Sequence, residues 1–223
     1  MRRFTIFTAT AGALVALLPV QAGPAAAAPT TGAARACDPH LTGLSLPSPG
    51  LFTADEVTGT VQASCAPSED IAVGLATGDR RVTVPPVAIV PAGRTTAAFP
   101  LKVREAWSDQ FTTKVAARYG ADLLAQPVTV SPGLRVFRLE DQTDSTSVFG
   151  EALLWGNSPE GGTVVRLTSD SPLVKVPATM TLNGLGETFD LQAERVTSPQ
   201  KVHVTATVGT RTLTAEVTLI PPA

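Results

Sequence analysis

Two histidines, two cysteines and one tyrosine are all that this chain spares for the residue types that most often carry chemistry. A metal site needs three or four converging ligands. A Ser-His-Asp constellation would have to draw on His40 or His203, and no Gly-x-Ser-x-Gly elbow accompanies the many serines. Catalytic residues, cofactors and metal ligands are therefore expected to be none, and the protein is read as no enzyme. Charged residues are also sparse, at 16%, with no lysine or arginine cluster, which excludes a nucleic acid as partner. No amphipathic helical segment of ten residues separates any two apolar segments, so parallel α/β folds are excluded. What is abundant is Val, Thr, Ala, Gly and Pro, the composition of a β-protein.

Residues 1–27 read as an export signal. Arg2 and Arg3 supply the positive start, residues 11–20 an apolar run too short to span a bilayer, and Ala25-Ala26-Ala27 a cleavage site. The paired arginines leave the twin-arginine route open, although Thr5 and Phe7 fit it poorly. No second apolar segment follows, and Ile220-Pro221-Pro222 carries no sorting tail. The mature chain is expected to be secreted, monomeric and free of membrane insertion. Losing Arg2 and Arg3 leaves 15 basic residues against 19 acidic ones, a net charge of −4. In an exported chain Cys37 and Cys65 are expected to form a disulfide, the alternative being two free thiols. The bridge would close a loop of about 29 residues, for which chain entropy gives about 3.5 kcal/mol.

The remainder says one thing twice. Val73/Leu75 answer to Val165/Leu167 and Val82-x-Val84-Pro85 to Val174-x-Val176-Pro177, both at an offset of 92 residues. Phe99-x-Leu101 answers to Phe189-x-Leu191 at an offset of 90. A period near a domain's length means two copies of one module. Residues 28–40 are a flexible arm, 41–132 the first module and 134–222 the second, with Pro132-Gly133-Leu134 as a linker too short to bend far. Val57, Gly59, Val61, Ala63 and Cys65 alternate in one copy, and Val148, Gly150, Ala152, Leu154 and Gly156 in the other. About seven such strands per module, with turns every 8–12 residues, predict an all-β chain of two tandem antiparallel β-sandwiches.

The residues that repeat resemble a known family. Gly59-x-Val61, Val84-Pro85, the Gly93 turn with Phe99, Ala117-x-Tyr119-Gly120, Gly150, Val176-Pro177-Ala178 and Ala206-x-Val208-Gly209 are similar to bacterial immunoglobulin-like repeats. Those repeats occur in exported proteins of actinobacterial type. The resemblance implies immunoglobulin-like sandwiches with adhesive, spacer or carbohydrate-associated roles, and no catalytic residues. These are framework positions, which specify fold and hardly function.

Few side chains stand out beyond the framework. Trp107 aligns with Val196 at an offset of 89 and is expected to plug the open end of the first sandwich, so that Trp107→Ala costs about 3–5 kcal/mol. Leu153 and Trp155 take the outward parity of their strand, where the first module has Gln62 and Ser64. They either pack on an interdomain surface or a neighbouring loop, or form a partner-binding patch, since tryptophan is favoured at interface centres. Glu140, Asp141 and Asp144 are a solvated loop or, alternatively, a calcium site between the modules. Asn157 and Asn183 lie in turns, not in strands where an isopeptide bond would form. The function expected is binding of an extracellular protein or glycan, the alternatives being a structural spacer or an inhibitor acting through one exposed loop.

Overall fold

A computed structural model describes residues 37–47 and 50–223, all of it strand, turn and loop. Residues 1–27, read from the sequence as an export signal, and most of the arm at 28–40 lie outside the described residues. The first half of the chain contributes nine strands: β1 (Leu41–Ser45), β2 (Leu51–Phe52), β3 (Glu56–Ala63), β4 (Ile71–Thr77), β5 (Val82–Thr83), β6 (Val87–Val90), β7 (Thr96–Val103), β8 (Phe111–Tyr119) and β9 (Asp122–Ser131). The second half repeats them as β10 (Leu134–Leu139), β11 (Gln142–Thr143), β12 (Ser147–Leu154), β13 (Thr163–Ser169), β14 (Val174–Lys175), β15 (Thr179–Leu182), β16 (Gly186–Ala193), β17 (Gln200–Val208) and β18 (Arg211–Leu219).

Each half folds as two sheets with one strand order. The four-stranded sheets run β1-β3-β7-β5 and β10-β12-β16-β14, and the five-stranded sheets run β2-β9-β8-β4-β6 and β11-β18-β17-β13-β15. Pairing is antiparallel except at β2–β9 and β11–β18, where the opening segment of each half joins its last strand in parallel. This order, with the first strand shared between sheets, is that of an immunoglobulin-like sandwich. The protein is two tandem antiparallel immunoglobulin-like β-sandwiches.

Alternation builds the cores. Val61, Val73, Leu101 and Val115 are fully buried in the first, and Val148, Val165, Val202 and Val204 in the second. Gly59 pairs with Phe99 across β3–β7 and Gly150 with Phe189 across β12–β16. A Cβ on either glycine would stand 2.4 Å from that ring, so each bare backbone is the floor on which a phenylalanine lies. Both copies also carry a strand that the periodicity does not separate from its neighbours. After Pro85-Pro86 and Pro177-Ala178 the chain crosses to the other sheet and forms β6 and β15. The crossing is fixed in each copy by one backbone bond, from Leu75 N–H to the Pro86 carbonyl (2.9 Å) and from Leu167 N–H to the Ala178 carbonyl (3.1 Å).

The Cys37–Cys65 disulfide is present. It fastens the start of the described chain to the end of β3, where Asp122 also accepts from Leu41 N–H at 2.9 Å.

Candidate functional site

The linker is where the structure adds most to the sequence. Pro132, Gly133 and Leu134 are all buried. Gly133 lies so close to Thr53 that a Cβ would stand 2.3 Å from its carbonyl oxygen. Beside it Asp55, only 3% exposed, reaches from the turn before β3 to the β17–β18 hairpin. Its carboxylate accepts from Thr210 N–H (2.7 Å), the Thr210 hydroxyl (2.8 Å) and Phe52 N–H (2.8 Å). Gly209 makes room for it, with a positive φ of 60° and no space for a Cβ against the carboxylate. Ala54 holds a φ of 73°, a left-handed strain that the surrounding contacts sustain. Phe52 of the first half packs on the second core, and Arg211 pairs with Glu105.

A second set of contacts comes from the β7–β8 crossing. Ser108 N–H donates to the Trp155 carbonyl (2.8 Å), Trp155 N–H to the Gly133 carbonyl (3.0 Å), and Asn157 N–H to Asp109 (2.8 Å). Gly156, the counterpart of Cys65, is the bare backbone over which this crossing passes, a Cβ there meeting the Ser108 carbonyl at 2.2 Å. The crossing is thereby pulled over the junction and turns its tryptophan outward. Trp107 is 56% exposed and does not plug the sandwich. Its counterpart Val196 does pack on the second core.

Arg135, on the bulge that shifts the β10–β12 register, projects between two indoles. Its guanidinium lies 5.9 Å from the Trp107 ring centroid and 5.3 Å from that of Trp155. The Trp155 ring is half-buried, and its Nε1 is enclosed without a partner among the described residues. Leu153 is also half-buried, on the outward side of β12 opposite Val136.

Trp107 further forms the lip of a groove of about 930 Å3 with Asp79, Arg80, Arg81, Arg104 and Glu105. Arg81 makes the rigid part. It forks onto Asp79 through Nε (3.0 Å) and Nη2 (2.6 Å), donates to the Ser108 hydroxyl (2.9 Å) and lies 3.6 Å above the Phe111 ring. That fork, with Arg81 N–H as a further donor, holds the Asp79 carboxyl down at about 2. The same hydrogen bonds raise Arg81 above its ordinary value. Sequence order hid this group: Arg80 and Arg81 are adjacent, but Arg104 joins them only through the Arg104 N–H to Arg81 carbonyl bond (2.8 Å).

The remaining candidates lie elsewhere. His203 is outward-facing, with Asp170 on Nδ1 (2.8 Å) and Glu216 on Nε2 (3.1 Å), so both ring nitrogens face carboxylates and no serine. His40 Nδ1 meets Asp122 at 3.2 Å, while the Ser64 hydroxyl accepts from the backbone N–H of His40. Glu140, Asp141 and Asp144 follow β10, which starts at the junction and runs away from it. They therefore sit at the far pole of the second sandwich and cannot bridge the modules, and Glu140 is engaged by Phe149 N–H at 2.7 Å. Among the described residues no group of three or more acidic, histidine or cysteine side chains converges as metal ligands do. The amides of Asn157 and Asn183 donate to Asp109 (3.0 Å) and Glu187 (2.9 Å).

No protein-family model matches the chain. No curated protein matches it either. Solved structures align with it at low similarity. Domains 5–6 of the S-layer protein SbsC align at 15% identity and a TM-score of 0.31, over 83% of this chain and 100% of that one. A titin tandem aligns at 8% identity and a TM-score of 0.32, over 82% of this chain and 66% of that one. The class 5 fimbriae chaperone CfaA aligns at 11% identity and a TM-score of 0.30, over 83% and 100%. Likenesses of this size carry no functional argument, and the immunoglobulin-like assignment rests on the strand order.

Proposed function

We propose that this is a secreted, non-enzymatic protein whose two immunoglobulin-like modules bind an extracellular protein or glycan through the surface that spans their junction. That surface comprises Trp107, Arg135 and Trp155, with Leu153 on the adjoining sheet face. One observation carries the reading: Trp107 is held 56% exposed by a backbone whose next residue, Ser108, is buried and hydrogen-bonded across the junction. A large aromatic kept in water by an ordered crossing contributes little to folding, and tryptophan and arginine are the residues in which binding energy concentrates. The Cys37–Cys65 bridge suits an oxidising compartment, in keeping with the export signal read in residues 1–27. The chain acts as a monomer, with no membrane insertion and no nucleic-acid partner. Screening the mature chain and its Trp107→Ala variant against glycan and extracellular-protein arrays tests the proposal. It expects a ligand whose signal the substitution abolishes; a signal that Trp107→Ala leaves unchanged contradicts it.

A second reading, a rigid spacer, is favoured by the Asp55 latch, because a chain that only holds distance needs a stiff joint and no ligand. An array blank for both proteins would select it.

A further inference from the structure

The groove under Trp107 holds positive charge that the fold does not use. Asp79 engages Arg81, which is further committed to Ser108 and the Phe111 ring. Glu105 is taken by Arg211 of the second module. Arg80 and Arg104 remain: both are exposed, both line the groove, and neither has a carboxylate partner among the described residues. Two unpaired guanidiniums on one wall do not follow from a basic composition, since the whole chain carries a net charge of −2.

We infer that this groove binds an acidic glycan, Arg80 and Arg104 engaging the carboxylates of a uronate-bearing chain and Trp107 stacking on one sugar ring. The inference rests on the binding function proposed above and names its ligand. Each guanidinium is a planar fork that matches the two oxygens of a carboxylate. The exposed indole presents a broad apolar face of negative quadrupole, suited to the C–H face of a pyranose. An acidic peptide would satisfy the arginines but would leave the tryptophan without a purpose. Because both arginines are exposed, the attraction is screened by salt and the affinity falls as ionic strength rises.

The test is calorimetric titration of the whole mature chain with a tetramer of galacturonic acid, its methyl ester and a polyglutamate of matched charge. The free acid is expected to bind, and the ester to bind at least about tenfold more weakly. Arg80→Gln/Arg104→Gln and Trp107→Ala should each weaken binding of the acid at least about tenfold, while Arg118→Gln, on an exposed face outside the groove, leaves it unchanged. Circular dichroism of each variant shows that the fold is retained. Polyglutamate bound as tightly as the tetramer, or Trp107→Ala bound normally, overturns the inference. Equal binding of ester and acid overturns it too but leaves the junction-binding function standing. No binding of any of the three overturns it, and the broader function falls with it only if the arrays are also insensitive to Trp107→Ala.

Discussion

Trp107 and Asp55 are the two residues at which a comparison of the repeats is least informative, and for one reason. Aligning two copies finds what they share, whereas a junction is made of what each copy does alone. Trp107 aligns with Val196, an apolar residue that does pack on its core, so alignment alone predicts a plug. What redirected the ring is the Ser108–Trp155 hydrogen bond, which has no counterpart in the second module. Trp107→Ala should therefore change stability by no more than about 0.5 kcal/mol in urea denaturation, not by a core residue's worth. Asp55 is the converse, a polar residue of a turn that proves buried. Asp55→Ala strips partners from Phe52 N–H, Thr210 N–H and the Thr210 hydroxyl and should cost about 2–4 kcal/mol by the same measurement.

At the scale of elements most of the fold was legible. Alternation placed β3, β4, β7, β8 and β9 and their counterparts, because each has one wet and one dry face. It did not resolve β6 and β15, whose sheet change occurs at a proline within an unbroken apolar stretch in the first copy. Nor did it reveal that the repeated glycine and the repeated phenylalanine are partners, which only the register supplies. Gly59→Ala should cost about 1–3 kcal/mol in denaturant, since Phe99 is 2% exposed and its ring has nowhere to retreat. Across β13, β17 and β18 His203 faces outward between two carboxylates that strand parity alone does not bring together. Hydrogen bonding to Asp170, then the charges of Asp170 and Glu216, raise its pKa above the ordinary 6.5. The contribution of the charged imidazole is complete below 6.5 and fades as pH rises through the raised value. Asp170 and Glu216 are lowered, chiefly by hydrogen bonds from His203 and Lys201 respectively, so their contributions hold above the ordinary carboxylate range and fade as pH falls through the lowered values. An NMR titration should place His203 above 6.5 and move it down in Asp170→Asn; an unmoved midpoint would remove Asp170 as the cause.

At the scale of the molecule, the repeat predicted two sandwiches and a short linker, and a short linker alone limits bending without fixing an angle. The structure adds a joint: a buried linker, a buried carboxylate seated on a hairpin of the other module, and a crossing bonded over the top. The described residues accordingly form one compact unit. The proposed function depends on that joint, because Trp107 and the groove belong to the first module while Arg135 and Trp155 belong to the second. The most direct measurement is 15N relaxation across residues 28–223. The account predicts one rotational diffusion tensor for amides of both modules, and two separate ones in Asp55→Ala. Two independently tumbling modules in the unaltered protein would contradict it.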